Sequence, residues 1–314
     1  MKKKILSILV IPLLLISCNS NITSTSNSYT LTVAVPKGAP AIAQSLISYN
    51  IDNKANILDG APNIKAALTA GNYDLIYAPS NLGCQVYNAN QSYTMLAGIT
   101  FGNLYFASTS SINSVSDLNN KNIILFGKGS INDLVSKYII EQNNIEANIS
   151  YLDSANDTKT MFVANQDKDA IYLLADPQAS AAKIALNSKG INSSLLSVEE
   201  LIKSKTGFDG FSQASLFVKK STYIEHKELV EDYLNKLENS ISYINNLDNI
   251  SNTTKMLKEL EYFDLPEKVL QSAIPGCNIK YVKASELKEM FEATYNLNLA
   301  LIGGKLPDEG FYQI

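Results

Sequence analysis

The chain has 314 residues, 46% of them apolar and 18% charged, which is enough for a well-filled core and about two domains of ordinary size. All 26 basic residues are lysine against 30 acidic ones, and beyond residue 18 the balance is 23 lysines to 30 acids, a net charge of −7. That balance speaks against nucleic acid as a partner, and one His with three Cys leaves little material for a His-based or zinc site, so no metal and no cofactor is expected.

Lys2, Lys3 and Lys4 precede an apolar run over residues 5–16, broken by Pro12. At about 12 residues the run is too short to span a hydrocarbon core ~30 Å thick, and it fits the hydrophobic region of a secretory signal. It ends in Leu15-Ile16-Ser17-Cys18, which resembles the bacterial lipobox. By that resemblance residues 1–18 are a lipoprotein signal, and Cys18 becomes the first mature residue, holding the protein to the bilayer through thioether-linked lipid and fatty acyl (palmitate) chains. Residues 19–28 (NSNITSTSNS) contain almost nothing that packs and read as a polar tether.

From residue 29 the pattern alternates between strand and helix. A strand over 30–36 (TLTVAVP) leads through Gly38-Ala39-Pro40 into a helix over 41–49, followed by a strand at 55–58 and a helix at 61–70. The third strand, 74–78 (DLIYA), is followed by Pro79-Ser80-Asn81, residue types that open a helix. Two successive strands, 95–101 and 104–108, flank Gly102-Asn103. A polar turn at 114–118 precedes a buried-type strand at 122–126 (NIILF), then Gly127-Lys128-Gly129-Ser130 and an amphipathic helix to about residue 142. A strand at 148–152, a helix at 157–165 and a strand at 170–174 (AIYLL) come next, and Asp176-Pro177-Gln178 opens another helix. A strand at 212–218 leads into one long helix, about 222–246, whose Leu229, Val230, Tyr233, Leu234, Leu237, Ile241 and Ile244 form a single stripe. The remainder reads as short helices with a strand at 278–282. This alternation predicts an α/β fold.

Several segments carry a resemblance. They are the opening strand with its Gly-Ala-Pro; Ala66-Ala67-Leu68-Thr69-Ala70-Gly71-Asn72-Tyr73-Asp74; Ser116-Asp117-Leu118-Asn119-Asn120-Lys121; Asp176-Pro177; and Leu306-Pro307-Asp308-Glu309-Gly310-Phe311-Tyr312. In this order, behind a lipobox, they resemble the substrate-binding lipoproteins of ABC importers, within them the sulfonate/nitrate/taurine and thiamine-pyrimidine-precursor binding family. The chain departs from the family at Asn120, where Gly is usual, and in having neither Arg nor Trp. The resemblance implies a two-lobed periplasmic-binding-protein fold of type II, with two crossings between lobes near residues 108–112 and 210–215. Lobe one would be 29–112 plus 214–314, and lobe two 113–213. It also implies a monomer that encloses a small-molecule ligand between the lobes and delivers it to an ABC permease in the membrane.

In such sheets ligands lie beyond the carboxyl ends of strands, where loops feed helix N-termini. That rule selects Gly38, Ala39, Ser80, Asn81, Phe101 and Asn103 in lobe one. In lobe two it selects Gly129, Ser130, Asp176 and Gln178, and near the second crossing Ser212 and Gln213. Glycine permits close backbone approach, and Ser, Asn and Gln supply aimed hydrogen bonds; the same residues also serve as caps and turn formers. Lys37 and Lys128 flank two of these loops, and Tyr77, Phe101 and Tyr105 are candidates for stacking on a ring. Without Arg no bidentate clamp on an oxyanion is available, which favours a pyrimidine-like or other small organic nutrient over a sulfonate, nitrate or taurine. A lipid-anchored enzyme fits poorly, because Gly127-Lys128-Gly129-Ser130 lacks Walker spacing, no G-x-S-x-G is present, and His226 sits in a charged helix start. An adhesin would predict repeats, which the body lacks. Cys84 and Cys277 read as two buried thiols, with a bridge between them permitted by the compartment.

Overall fold

The computed structural model describes residues 29–50, 54–165 and 167–312. The signal, Cys18 and the tether lie outside the described residues. The chain begins with β1 (Val33–Pro36), α1 (Ala39–Asn50), β2 (Asn56–Leu58), α2 (Ala61–Ala70), β3 (Leu75–Pro79), α3 (Ser80–Asn90) and β4 (Tyr93–Thr100). Local chemistry sets these boundaries. Pro62 lies in the first turn of α2, and Gly71 closes that helix in the left-handed conformation, with its N–H returned to the Ala67 carbonyl. Leu75, Ile76, Tyr77 and Ala78 are all buried, the continuous apolar run of a strand covered on both faces.

The middle of the chain contains β5 (Leu104–Ser108), β6 (Lys121–Phe126), α4 (Ile131–Gln142), β7 (Ala147–Leu152), α5 (Ala155–Ala164), β8 (Ala170–Ala175), α6 (Gln178–Asn187), β9 (Ser194–Ser197) and α7 (Val198–Thr206). It then returns through β10 (Ala214–Lys219), α8 (Lys220–Glu225), α9 (Lys227–Asn245), α10 (Ile250–Glu259), α11 (Glu267–Ala273), β11 (Ile279–Lys283) and α12 (Ala284–Tyr295).

These strands form two sheets, in the orders β11-β4-β10-β3-β1-β2 and β7-β6-β8-β5-β9. Each has a parallel trio, β2-β1-β3 or β7-β6-β8, followed by an antiparallel strand, β10 or β5. That fourth strand is the first one the chain makes after arriving from the other sheet. Leu104–Ser108 therefore belongs to the second sheet, pairing with β8 and β9. The first crossing lies between Thr100 and Leu104, upstream of the 108–112 expected from the sequence. Gly102-Asn103 has the look of a hairpin turn, but β4 and β5 do not pair; each finds a distant partner instead.

The expected long helix is divided at His226, whose φ of −133° and ψ of 38° end α8 and precede α9. Its stripe stays inward from Val230 to Ile244 and packs on α1, while Leu229 remains 39% exposed. Asn120, the departure from the family's glycine, has a φ of 58° and gives its N–H to the Glu146 carbonyl. Asparagine tolerates this left-handed geometry better than other non-glycine residues, which accounts for the exchange. The closing segment docks by Phe311, fully buried among the rings of Tyr87, Phe217, Phe291 and Tyr312.

Candidate functional site

The two crossings run against each other. The Phe101 carbonyl accepts the Phe211 N–H at 3.2 Å and the Asn278 Nδ2 at 3.0 Å. Gly210 permits this approach: a Cβ there would stand 2.0 Å from the Phe101 oxygen. Next to it, the Gln213 N–H donates to the Thr100 carbonyl at 3.1 Å, and the Gln213 carbonyl accepts the Ser80 N–H at 3.0 Å. The hydroxyls of Ser212 and Ser80 are 3.0 Å apart, and those of Ser80 and Ser215 2.8 Å. The start of α3 is thereby tied to the second crossing.

From Gln213 the bonds continue into the second lobe. Its Nε2 donates to Asn103 Oδ1 at 3.0 Å and to Asn132 Oδ1 at 3.2 Å. Asn103 Nδ2 donates in turn to the Asp176 carbonyl at 2.7 Å, and its own carbonyl accepts the Asp176 N–H at 3.0 Å. Asn132 lies on the first turn of α4, where the Ser130 hydroxyl accepts its N–H at 3.2 Å. Ser80, Asn103, Ser130, Asp176, Ser212 and Gln213 are thus joined, with Asn132, in one network across the seam.

Asp176 is 6% exposed, and its Oδ1 accepts the Ser180 N–H at 2.9 Å. Its Oδ2 faces Gly276, which belongs to the first lobe: a Cβ at 276 would lie 2.1 Å from that oxygen and 2.8 Å from the Tyr105 hydroxyl. Burial pushes the Asp176 carboxyl up to about 6, outweighing the bonds from Ser180 and Tyr105 and the pull of Lys183. The Tyr105 hydroxyl is pushed well up as well, by burial first and by the neighbouring carboxyl second.

Gln178 is the first residue of α6 and Asn81 lies in the first turn of α3. Among the described residues, the side-chain carbonyl oxygens of Asn81, Gln178 and Gln213 are buried without a hydrogen-bond partner. Gly38 and Ala39 stand at the β1–α1 turn, where the Gly38 carbonyl accepts the Ala41 N–H. The Gly129 N–H is occupied by Asp133 Oδ2 at 2.8 Å. Lys37 and Lys128 are exposed, and the Lys128 ammonium stands 5.2 Å above the Tyr151 ring. Tyr77 belongs to the core rather than the seam, its hydroxyl bonded to Gln44 and Tyr233 at 2.9 Å each. Cys84 and Cys277 are buried free thiols, and burial pushes Cys84 up to about 12. Sequence reasoning missed Asn132, Ser180 and Gly276. Asn132 had a local signal, two residues past a capping serine; Gly276 had none.

The whole arrangement has solved counterparts. An ABC transporter structure from Parabacteroides distasonis is similar over 91% of this chain and 99% of its own, at 21% identity and a TM-score of 0.74. The alkanesulfonate-binding protein SsuA of Xanthomonas axonopodis pv. citri, bound to MOPS, is similar over 88% and 94%, at 19% identity and 0.62. A Candida albicans gene product described as having the generic periplasmic binding protein structural fold is similar over 90% and 93%, at 11% identity and 0.57. The chain has the periplasmic-binding-protein fold. No protein-family model and no curated protein sequence matches it. In this periplasmic-binding-protein fold the bonded network occupies the seam between lobes, at the carboxyl ends of β3, β6 and β8. Among the described residues no helix is long and apolar enough to cross a membrane.

Proposed function

We propose that the protein is the extracytoplasmic solute-binding component of an ABC importer, a monomer tethered to the membrane through lipid on Cys18. It takes up a small organic molecule between its lobes, and the closed form presents that cargo to a membrane permease. The observation that carries this reading is the polar network at the seam, which joins helix N-termini of both lobes through Gln213 and Asn103. A ligand that touches both sides favours the closed population, and the two crossings act as hinges. We read the role as binding rather than catalysis: the buried seam carboxyl, Asp176, is engaged by Ser180 and Tyr105 within a bonded network that joins the lobes. A sulfonate or related anion is a second reading, favoured by the likeness to SsuA.

The test is thermal unfolding of the full mature chain in detergent, with and without a fractionated nutrient extract. A ligand at 100 times its dissociation constant adds ~2.7 kcal/mol, so a binding fraction raises the midpoint by a readily measured amount. An extract without effect in any fraction counts against solute binding. The lipid anchor is checked separately, since Cys18→Ser should release the protein from the membrane fraction.

A further inference from the structure

An amide side chain has a donor end and an acceptor end, and the seam network fixes which is which. The Asp176 backbone carbonyl can only accept, so the Asn103 atom 2.7 Å away is Nδ2. Asn103 therefore turns Oδ1 toward Gln213, which must answer with Nε2 at 3.0 Å. The remaining Gln213 atom, Oε1, is an acceptor, and it is buried with no partner among the described residues. Oδ1 of Asn81, a residue only 3% exposed, and Oε1 of Gln178 are likewise buried without a partner among the described residues, while the amide ends of these two are not fixed by a bond as that of Gln213 is. All three stand at the lobe junctions. Asn81 follows Ser80, which is bonded to Gln213, and Gln178 lies two residues past Asp176, which is bonded to Asn103. Buried acceptors are ordinarily satisfied, and three orphans at the junctions of both lobes form a set awaiting donors.

Four backbone donors at these junctions are already used. The Ser80 N–H goes to the Gln213 carbonyl, the Gly129 N–H to Asp133, the Ser130 N–H to the Gly127 carbonyl, and the Ser180 N–H to Asp176. Cations are engaged or outside: Lys280 is paired with Asp209 at 2.7 Å, Lys128 stands over Tyr151, and Lys37 and Lys183 are exposed. An oxyanion here would face the fixed Gln213 carbonyl oxygen and the Asp176 carboxyl group, with no arginine in the chain to offset them.

Resting on the solute-binding reading above, we infer that the seam takes a neutral or cationic molecule presenting N–H donors, such as a carboxamide, an amine or an amino-substituted nitrogen heterocycle, and rejects sulfonate and nitrate oxyanions. The orphaned carbonyls of Asn81, Gln178 and Gln213 are its acceptors.

The experiment follows the unfolding midpoint of the full mature chain against nutrient extract before and after passage over a strong anion exchanger, with ethanesulfonate and nitrate as separate probes. The expected result is a shift retained by the anion-depleted extract and absent with both probes. A shift lost on anion depletion, or produced by either probe, overturns the inference and leaves solute binding intact. No shift with untreated extract removes both. The active fraction is then titrated against variants. Asn81→Asp keeps the acceptor and adds negative charge, so affinity should hold or rise; Asn81→Leu removes it and should weaken binding about tenfold. Gln178→Glu and Gln178→Leu repeat the comparison if Asn81→Leu does not fold. Loss of binding in both carboxylate variants would show that the site wants donors on the protein side, and would overturn the inference.

Discussion

Asp176 lies at the seam with one oxygen capping the α6 turn and the other against Gly276, and its burial has a measurable consequence. Its carboxyl is raised to about 6 when folded, against about 3.9 in an unfolded chain. Between those values the folded protein holds a proton that the unfolded chain has released, so this group's contribution to stability falls as pH rises from about 4 to about 6 and then levels. Asp176→Asn keeps an oxygen for Ser180 and cannot ionise. It should be more stable than the parent at pH 7, by on the order of 2–3 kcal/mol, and about equal to it at pH 3.5. Urea midpoints at the two pH values check this; an equal difference at both would show an ordinary carboxyl. Asn120 gives a second residue-scale prediction. With φ at 58°, Asn120→Gly should be close to neutral, whereas Asn120→Val should cost about 1–2 kcal/mol, again read from urea midpoints. The need for a left-handed residue was legible there only through the resemblance, because asparagine also suits ordinary turns. For the site residues the types were legible and the bonding was not. Ser80 and Gln213 are 133 positions apart in the chain, and nothing local announces that one N–H meets the other's carbonyl.

At the scale of elements, strands with buried continuous runs were legible from composition, because a strand covered on both faces has no reason to alternate. The sheet to which each strand belongs was not. β5 follows β4 after only a few residues, yet its neighbours are β8 and β9 in the other sheet, and the four half-exposed residues of β9 carry too short a signal to read. The α8–α9 break is hidden because neither Pro nor Gly marks it, and the apolar stripe begins only at Leu229, past His226. Contact between α3 and β10 is equally silent in sequence, yet it is sharply constrained. A Cβ on Gly83 would stand 2.1 Å from the Phe217 ring, which is itself fully buried. Gly83→Ala gains helix propensity, but overpacking should win, with a net loss of about 1–3 kcal/mol. Chemical denaturation of Gly83→Ala, Phe217→Leu and the pair gives the check. If the clash is the cause, the double variant should be more stable than the sum of the two losses predicts, by at least about 0.5 kcal/mol. Strict additivity would mean that the helix shifts as a body and the ring does not matter.

At the scale of the whole molecule, the proposed function depends on how closely the lobes can approach, and Gly276 is a point of tight contact between them. It lies just before β11 in the first lobe, against Asp176 and Tyr105 of the second. A methyl at 276 has no room while the seam is shut. On the solute-binding reading the wedge acts on the closed state alone, because the opposing atoms belong to the other lobe and would separate on opening. Gly276→Ala should therefore leave each lobe folded and shift the population toward open forms. Binding of any ligand that needs closure weakens by the fraction of closed molecules lost, so each 1.4 kcal/mol of wedge costs about tenfold in affinity. Small-angle scattering in the presence of an active extract fraction should give a larger radius of gyration for Gly276→Ala than for the parent. Removing the obstacle in the second lobe tests the cause. Tyr105→Phe deletes the hydroxyl 2.8 Å from the new methyl but leaves Oδ2 of Asp176 at 2.1 Å, so it should restore little, whereas Asp176→Ala on the Gly276→Ala background should recover the compact form. Recovery by neither, with scattering unchanged in the single variant, would mean that the loop around 276 yields locally and that lobe approach is limited elsewhere.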